Sequence, residues 1–162
     1  MKQELRLSGT GGQGLILAGI ILAEAALLDG KLAIQSQSYG PEARGGSSKS
    51  EVMISEEAIH FPKVTEPNLL LAMSQEAANK YSTDLSPESI LVTDSLFVSK
   101  LPAHTGKVYE LPITHSAKEI LGKALFANII ALGALVKITK IFSEESLVKA
   151  VFLKEQYNPI FL

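Results

Sequence analysis

The stretch QELRL alternates polar and apolar residues, runs into the turn SGTGGQG (residues 8–14), and leaves it as GLILAGIILAEAALLDG. A strand, a glycine-dense turn and an apolar helix in that order constrain the fold more than any other feature of the chain. Alternation over this length is a strand signal. The helix carries Leu, Ile and Ala on nearly every side, so it needs cover on more than one face. Asp29-Gly30 stops it, with Gly30 suited to a left-handed cap. The turn raises a functional question, because backbone without side chains can approach a phosphate closely.

Further strands and helices alternate along the chain. KLAIQSQSYG reads as a second strand, PEARGGSSKS as a polar glycine-bearing loop, and SEVMIS as a third strand. NLLLAM, a short run apolar throughout, is expected to be a strand buried on both faces of a parallel sheet. Ser74 then stands at the N-cap of the helix QEAANKY. SILVTDS and KVYELPI read as two more strands, and roughly 114–122, 124–139 and 143–154 as helices. The predicted class is α/β: a single Rossmann-like three-layer α/β/α domain over residues 1–162, with a mostly parallel sheet. Such sheets bind ligands at their carboxyl edge, where the glycine turn is placed.

Composition narrows the chemistry. The apolar fraction of 46% and charged fraction of 20% are those of a globular chain. A net charge of −2 gives no global field for nucleic acid or anionic membrane, so neither is expected as a partner. With no cysteine, the chain can form neither a disulfide nor a cysteine-ligated iron–sulfur cluster or zinc site. No secretory signal is legible, and the longest apolar tract, Ala124–Val136, is too short to span a bilayer and contains Asn128. A soluble, cytoplasmic protein is expected. The mean hydropathy of +0.21 is high for a small monomer and points to a buried interface.

Gly9, Gly11 and Gly14 match the dinucleotide spacing G-x-G-x-x-G in its required context. On this reading Gly9 permits the sharp turn, Gly11 exposes backbone to a ligand, and Gly14 lets helix pack close to strand. The N–H groups from Gly12 to Leu15 would face an anion, aided by the helix dipole. The second half of that fingerprint is missing, since the second strand ends IQSQS with no acid for ribose hydroxyls. Arg44 and Lys49 in the next loop suit a 2′-phosphate instead. NAD(P), another phosphate-bearing ligand, and a purely structural corner all stay open at this point.

The loop SQSYGPEARGGSSKSEV (residues 36–52) adds Tyr39 at a strand end, a Gly40-Pro41 turn, Arg44 beside Gly45-Gly46, and Ser47, Ser48 and Lys49 as donors. In a Rossmann-like topology the loops after the first two strands stand side by side and line one cleft. Taken alone, the loop reads more readily as a solvated hairpin with a surface arginine.

Together GTGGQG and QSYGPEARGGSSKSEV, with the late helix ANIIALGAL, resemble the gamma subunit of the 2-oxoacid:ferredoxin oxidoreductases over nearly the whole chain. The 2-oxoglutarate enzymes are the nearest in type, with pyruvate synthase and indolepyruvate oxidoreductase sharing the domain. The resemblance implies oxidative decarboxylation of a 2-oxoacid to an acyl-CoA by the assembled enzyme, this chain being inactive alone. It implies coenzyme A as co-substrate, contacted by a subunit that closes over the active site. Thiamine diphosphate and iron–sulfur clusters would reside in partner subunits. The implied partners are alpha, beta and ferredoxin-like delta subunits, with ferredoxin as acceptor. By the same resemblance Gly9, Gly11, Gly12, Gln13 and Gly14 approach the coenzyme A pyrophosphate. Tyr39, Glu42, Arg44, Gly45 and Gly46 then lie on the loop toward the catalytic subunits, Arg44 offering a charge-assisted contact. Family members usually continue beyond the last helix, whereas this sequence stops at LKEQYNPIFL, which leaves the C-terminal subunit contact open.

No catalytic residue and no metal ligand is expected within the chain. His60, His104 and His115 share no ligand spacing. No serine lies in a G-x-S-x-G elbow. Asp94 and Ser95 read as loop-fixing residues at the ligand edge, and Asn128 as core packing. Two rival readings are a free-standing NAD(P)-binding Rossmann-like protein and a non-catalytic scaffold. Self-association of the isolated chain is not decided by the sequence.

Overall fold

A computed structural model describes residues 2–39 and 47–157, without side-chain detail for 38, 39 and 155–157. Strand β1 (Gln3–Thr10) leads through the glycine turn into helix α1 (Leu15–Leu28), and then into β2 (Leu32–Tyr39) and β3 (Ser47–Ser55). There follow β4 (Leu69–Ala72), α2 (Gln75–Tyr81), β5 (Ile90–Asp94), β6 (Val108–Leu111), α3 (Ile113–Leu121), α4 (Ala127–Thr139) and α5 (Glu144–Tyr157). A single 3-10 turn, Ala124–Phe126, precedes α4.

The six strands form one sheet in the order β2-β3-β1-β4-β5-β6. β1, β4, β5 and β6 run parallel, and β3 is antiparallel to both β1 and β2. The expected α/β class with helices on both faces is therefore found. Alternation along the strands divides the core. Leu5, Leu7, Leu69, Leu71 and Val92 face a large cluster completed by α1, α3, α4 and α5. Leu70 and Leu91 face the other way, onto Ala77 and Tyr81 of α2. β4 is buried at all four residues, as its uninterrupted apolar run requires. α1 is covered by the sheet below and by α4 and α5 outside, which explains its apolar circumference.

Two local expectations are corrected. Ser47, Ser48 and Lys49 are not loop residues but open β3, and Lys49 pairs with Glu51 at 3.2 Å. Lys49 also lies 5.8 Å from the Tyr81 ring centroid on the α2 side of the sheet. The second correction concerns strand order. β2 is not the neighbour of β1, because β3 returns between them. The ends of β1 and β2 share a rim but stand about 10 Å apart, two strand spacings.

Helix ends are fixed from a distance. Ser74 caps α2 as expected, its hydroxyl accepting from Ala77 N–H at 3.2 Å. Gly30 follows α1 with φ 82°. Asp29 accepts hydrogen bonds from Ser143 Oγ (3.0 Å) and Ser146 Oγ (2.9 Å), so the end of α1 anchors the start of α5. Among the described residues no helix is long and apolar enough to cross a membrane.

Candidate functional site

The glycine turn sits at the carboxyl rim between β1 and β4, where the chain's connections diverge to opposite sides of the sheet. Beside it opens a cleft of about 440 Å³. Thr10, Gly12 and Gln13 form one wall, and Met73 and Ser74 at the end of β4 form the base. Phe97, Thr114, Leu125 and Ala127 close the other side. Phe97 and Leu125 are 46% and 59% exposed, so they give the cleft an apolar mouth.

Each glycine of the turn has a distinct environment. A methyl group at Gly11 or Gly12 would meet nothing within 4 Å, and both residues are exposed. Their backbone is open to a ligand on the rim. Gly9 lies within β1, and a methyl group there would overlap Gln13 Oε1 and press on Leu15 and Met73. Gly14 is the N-cap of α1 with φ 71°, a left-handed value that favours glycine. A methyl group at Gly14 would also fall 2.6 Å from Asn128 Nδ2. The expected division of labour is thus revised: Gly9 makes room for Gln13, and Gly14 makes room for Asn128. Close helix-to-sheet packing belongs instead to Gly19, where an added methyl would overlap Ser50 Oγ.

The Gln13 amide is bonded at both ends. Its Oε1 accepts from Thr10 N–H at 2.8 Å and its Nε2 donates to the Met73 carbonyl at 2.9 Å. The Gln13 N–H itself closes the turn onto the Thr10 carbonyl at 3.2 Å, so it is not among the groups left for an anion. Asn128, expected only to pack, is 3% exposed and donates from Nδ2 to the Gly14 carbonyl at 3.2 Å. Its one legible signal is an amide among apolar residues at the start of the helix.

Asp94 has the loop-fixing role its position suggested. Fully buried at the end of β5, its carboxylate accepts from the Thr114 N–H and hydroxyl at the start of α3 and from Leu96 N–H. That fixes Thr114 on the cleft wall.

Of the second loop, Glu42, Arg44, Gly45 and Gly46 lie outside the described residues. The backbone on either side is placed. Ser48 is paired with Gly9 on one side and with Tyr39 on the other, so that loop leaves and re-enters the sheet at the glycine-turn rim. The dinucleotide reading loses its geometry here. The strand beside β1 on this side runs antiparallel, and β2, whose end should carry the ribose-binding acid, is displaced by one strand. No three His, Asp or Glu side chains converge as a metal cluster among the described residues.

With this geometry in place, comparison with known proteins decides the family. The pyruvate ferredoxin/flavodoxin oxidoreductase family model matches residues 4–157. The chain belongs to that family. It is 51% identical over 154 residues to the 2-oxoglutarate synthase subunit KorC of Methanocaldococcus jannaschii, covering 93% of this chain and 82% of the relative. The KorC subunit of Methanothermobacter thermautotrophicus is 42% identical over 158 residues, with coverages of 93% and 84%. The keto/oxoacid ferredoxin oxidoreductase gamma subunit of Geobacter sulfurreducens superimposes with a TM-score of 0.86 at 50% identity, covering 93% of this chain and 83% of that one. The 2-oxoglutarate:ferredoxin oxidoreductase of Magnetococcus marinus, solved with 2-oxoglutarate, coenzyme A and succinyl-CoA, gives a TM-score of 0.84 at 25% identity. That match covers 96% of this chain and 27% of that larger one. These family relatives lend no support to a free-standing NAD(P)-binding protein.

Proposed function

We propose that this chain, a gamma-type subunit of a 2-oxoacid:ferredoxin oxidoreductase, holds coenzyme A at its glycine turn while partner subunits oxidise a 2-oxoacid. The carrying observation is the bare backbone of Gly11 and Gly12 at the rim of the cleft. Exposed N–H groups at a helix N-terminus suit a pyrophosphate, and an apolar mouth beside them suits the uncharged arm of the same molecule. Neither group supplies a nucleophile or a general base. The contribution is positional: a fixed coenzyme A thiol meets an acyl group formed elsewhere in the complex. 2-Oxoglutarate is the proposed substrate, supported by the two KorC relatives. Residues 1–162 are proposed to act as one domain, supported by the single continuous sheet and a family match over nearly all of them.

The proposal extends to the second loop, with Tyr39, Arg44, Gly45 and Gly46 completing the site and Arg44 supplying its positive charge. Support comes from the register that returns this loop to the rim beside Gly9. Thiamine diphosphate, the iron–sulfur clusters and the contact with ferredoxin are assigned to alpha, beta and delta partners, since this sequence has no cysteine to ligate a cluster.

The test is reconstitution with the partner subunits, followed by 2-oxoacid-dependent ferredoxin reduction at varied coenzyme A. Gly12→Ala and Arg44→Ala are expected to raise the KM for coenzyme A by about tenfold, the loss of one charge-assisted contact or an equivalent steric block. The isolated chain should show no activity. Unchanged KM for coenzyme A in both variants, or turnover by the chain alone, overturns the proposal.

A further inference from the structure

Three of the four residues in the turn 11–14 are glycine, so the turn has almost no side chains of its own to hold its shape. Glycine loses more conformational freedom on ordering than any other residue. A free turn of this composition would have to be ordered by its ligand, at a cost in affinity. The structure instead holds it from both ends with two amides. Gln13 reaches under the turn, joining Thr10 N–H to the Met73 carbonyl at the end of β4. Asn128, in the first turn of α4, donates to the Gly14 carbonyl. Its Oδ1 accepts from Ile129 N–H at 2.9 Å, which orients Nδ2 toward that carbonyl. The same carbonyl accepts from Ala18 N–H at 3.0 Å, so helix α1 begins where the clamp ends.

The flanking glycines are shaped to the clamps. A side chain at Gly9 would collide with the Gln13 amide, and one at Gly14 with the Asn128 amide. The glycines therefore fall into two pairs: Gly9 and Gly14 admit the clamps, and Gly11 and Gly12 face open space. Asn128 also adjoins Ala127 on the far wall of the cleft, so its hydrogen bond ties the two walls together.

We infer that Gln13 and Asn128 are positioning residues that preset the glycine turn for a pyrophosphate-bearing ligand. The inference rests on the coenzyme A reading above. It differs from that reading in assigning Gln13 to the turn's own backbone and not to the ligand, and in giving Asn128 a part in the site.

The experiment uses the reconstituted complex with Gln13→Met, Asn128→Asp and Gly12→Ala, measuring kcat and the KM for both coenzyme A and the 2-oxoacid. Subunit assembly is followed by size-exclusion chromatography. Gln13→Met keeps the length but removes both hydrogen bonds. Asn128→Asp keeps the shape and sets an acceptor against the Gly14 carbonyl. Each clamp variant is expected to raise the KM for coenzyme A at least about fivefold, the equivalent of one lost hydrogen bond. The 2-oxoacid KM and kcat at saturating coenzyme A should be unchanged. If Gly12→Ala raises that KM while both clamp variants leave it alone, the clamp is refuted and the coenzyme A reading stands. If all three leave it alone, the coenzyme A reading falls and the clamp with it. Should the clamp variants lower kcat and assembly together without a selective KM effect, the two amides are merely structural and the inference is wrong. Gln13→Met, on the partly exposed turn, carries the test alone if Asn128→Asp does not assemble.

Discussion

Arg6 and Glu51 face one another across β1 and β3, with Arg6 Nε donating to Glu51 Oε2 at 2.9 Å beneath α2. Arg6 Nη1 also reaches both oxygens of Asp84, at 2.9 and 3.0 Å, and the Arg6 side chain is only 6% exposed. Burial by itself favours the neutral form, but the hydrogen bonds and charges of Glu51 and Asp84 outweigh it and raise the Arg6 pKa, so the cation persists. Arg6→Ala removes the buried partner of Glu51 and should cost about 3 kcal/mol, the low end for a broken buried pair because Lys49 still pairs with Glu51. The double variant Arg6→Met/Glu51→Met should recover most of that loss. Urea denaturation of the three proteins is the check, and a double variant as unstable as Arg6→Ala would refute the ion-pair account.

Gly14 and Gly12 should separate stability from function. Gly14→Ala forces a side chain into a left-handed backbone and against Asn128. It is expected to destabilise the chain by about 2 kcal/mol or more. Gly12→Ala meets no protein atom, so its stability should lie within about 0.5 kcal/mol of the parent while its coenzyme A kinetics suffer. Thermal melts beside the kinetic assay decide this. Equal melting losses in the two variants would contradict it.

Asp29 makes stability sensitive to acid. Burial pushes its carboxyl up, but the hydrogen bonds from Ser146 and Ser143 and the nearby Lys31 charge prevail, leaving it below the ordinary 3.8. A carboxyl depressed in the folded state contributes stability that is complete above its unfolded pKa and is lost as pH falls through the folded one. The chain should therefore weaken progressively below about pH 4, and Asp29→Asn should flatten that acid limb. Melting temperatures between pH 3 and 7 provide the measurement, parallel acid limbs being the contrary result.

Gly19 is a packing glycine. Gly19→Ala improves intrinsic helix propensity, yet the added methyl overlaps Ser50 Oγ, so overpacking should prevail and cost about 1–3 kcal/mol. Removing the hydroxyl in Gly19→Ala/Ser50→Ala should restore part of the loss. A single variant more stable than the parent would show that Ser50 moves aside freely.

Period and punctuation made most of the fold legible. The NLLLAM run announced a strand buried on both faces, and β4 is buried at every residue. Ser74 marked a helix start, and Gly30 a helix end, because caps satisfy local backbone groups through neighbours in sequence. β3 begins earlier than its sequence suggests because Ser47-Ser48-Lys49 has loop composition. Those residues are strand because Thr10, Gly9 and Ser8 pair with them from β1, and Tyr39 and Ser38 pair with Ser48 and Lys49 from β2. Asn128 reads from sequence as core packing for a similar reason: nothing near it in sequence shows that its amide meets a carbonyl 114 residues away.

The sequence by itself determined a glycine-dense turn between strand and helix, an α/β sheet, and a chain with no thiol to ligate a cluster. These depend on local backbone preference and on which atoms are present. Only the tertiary structure decided which glycines face open space and which make room for a side-chain amide. It alone placed β3 between β1 and β2, and it alone brought Met73 and Asn128 to the turn. The physical reason is that each of these turns on a hydrogen bond or a steric contact whose two halves lie far apart along the chain and meet only once the core has packed.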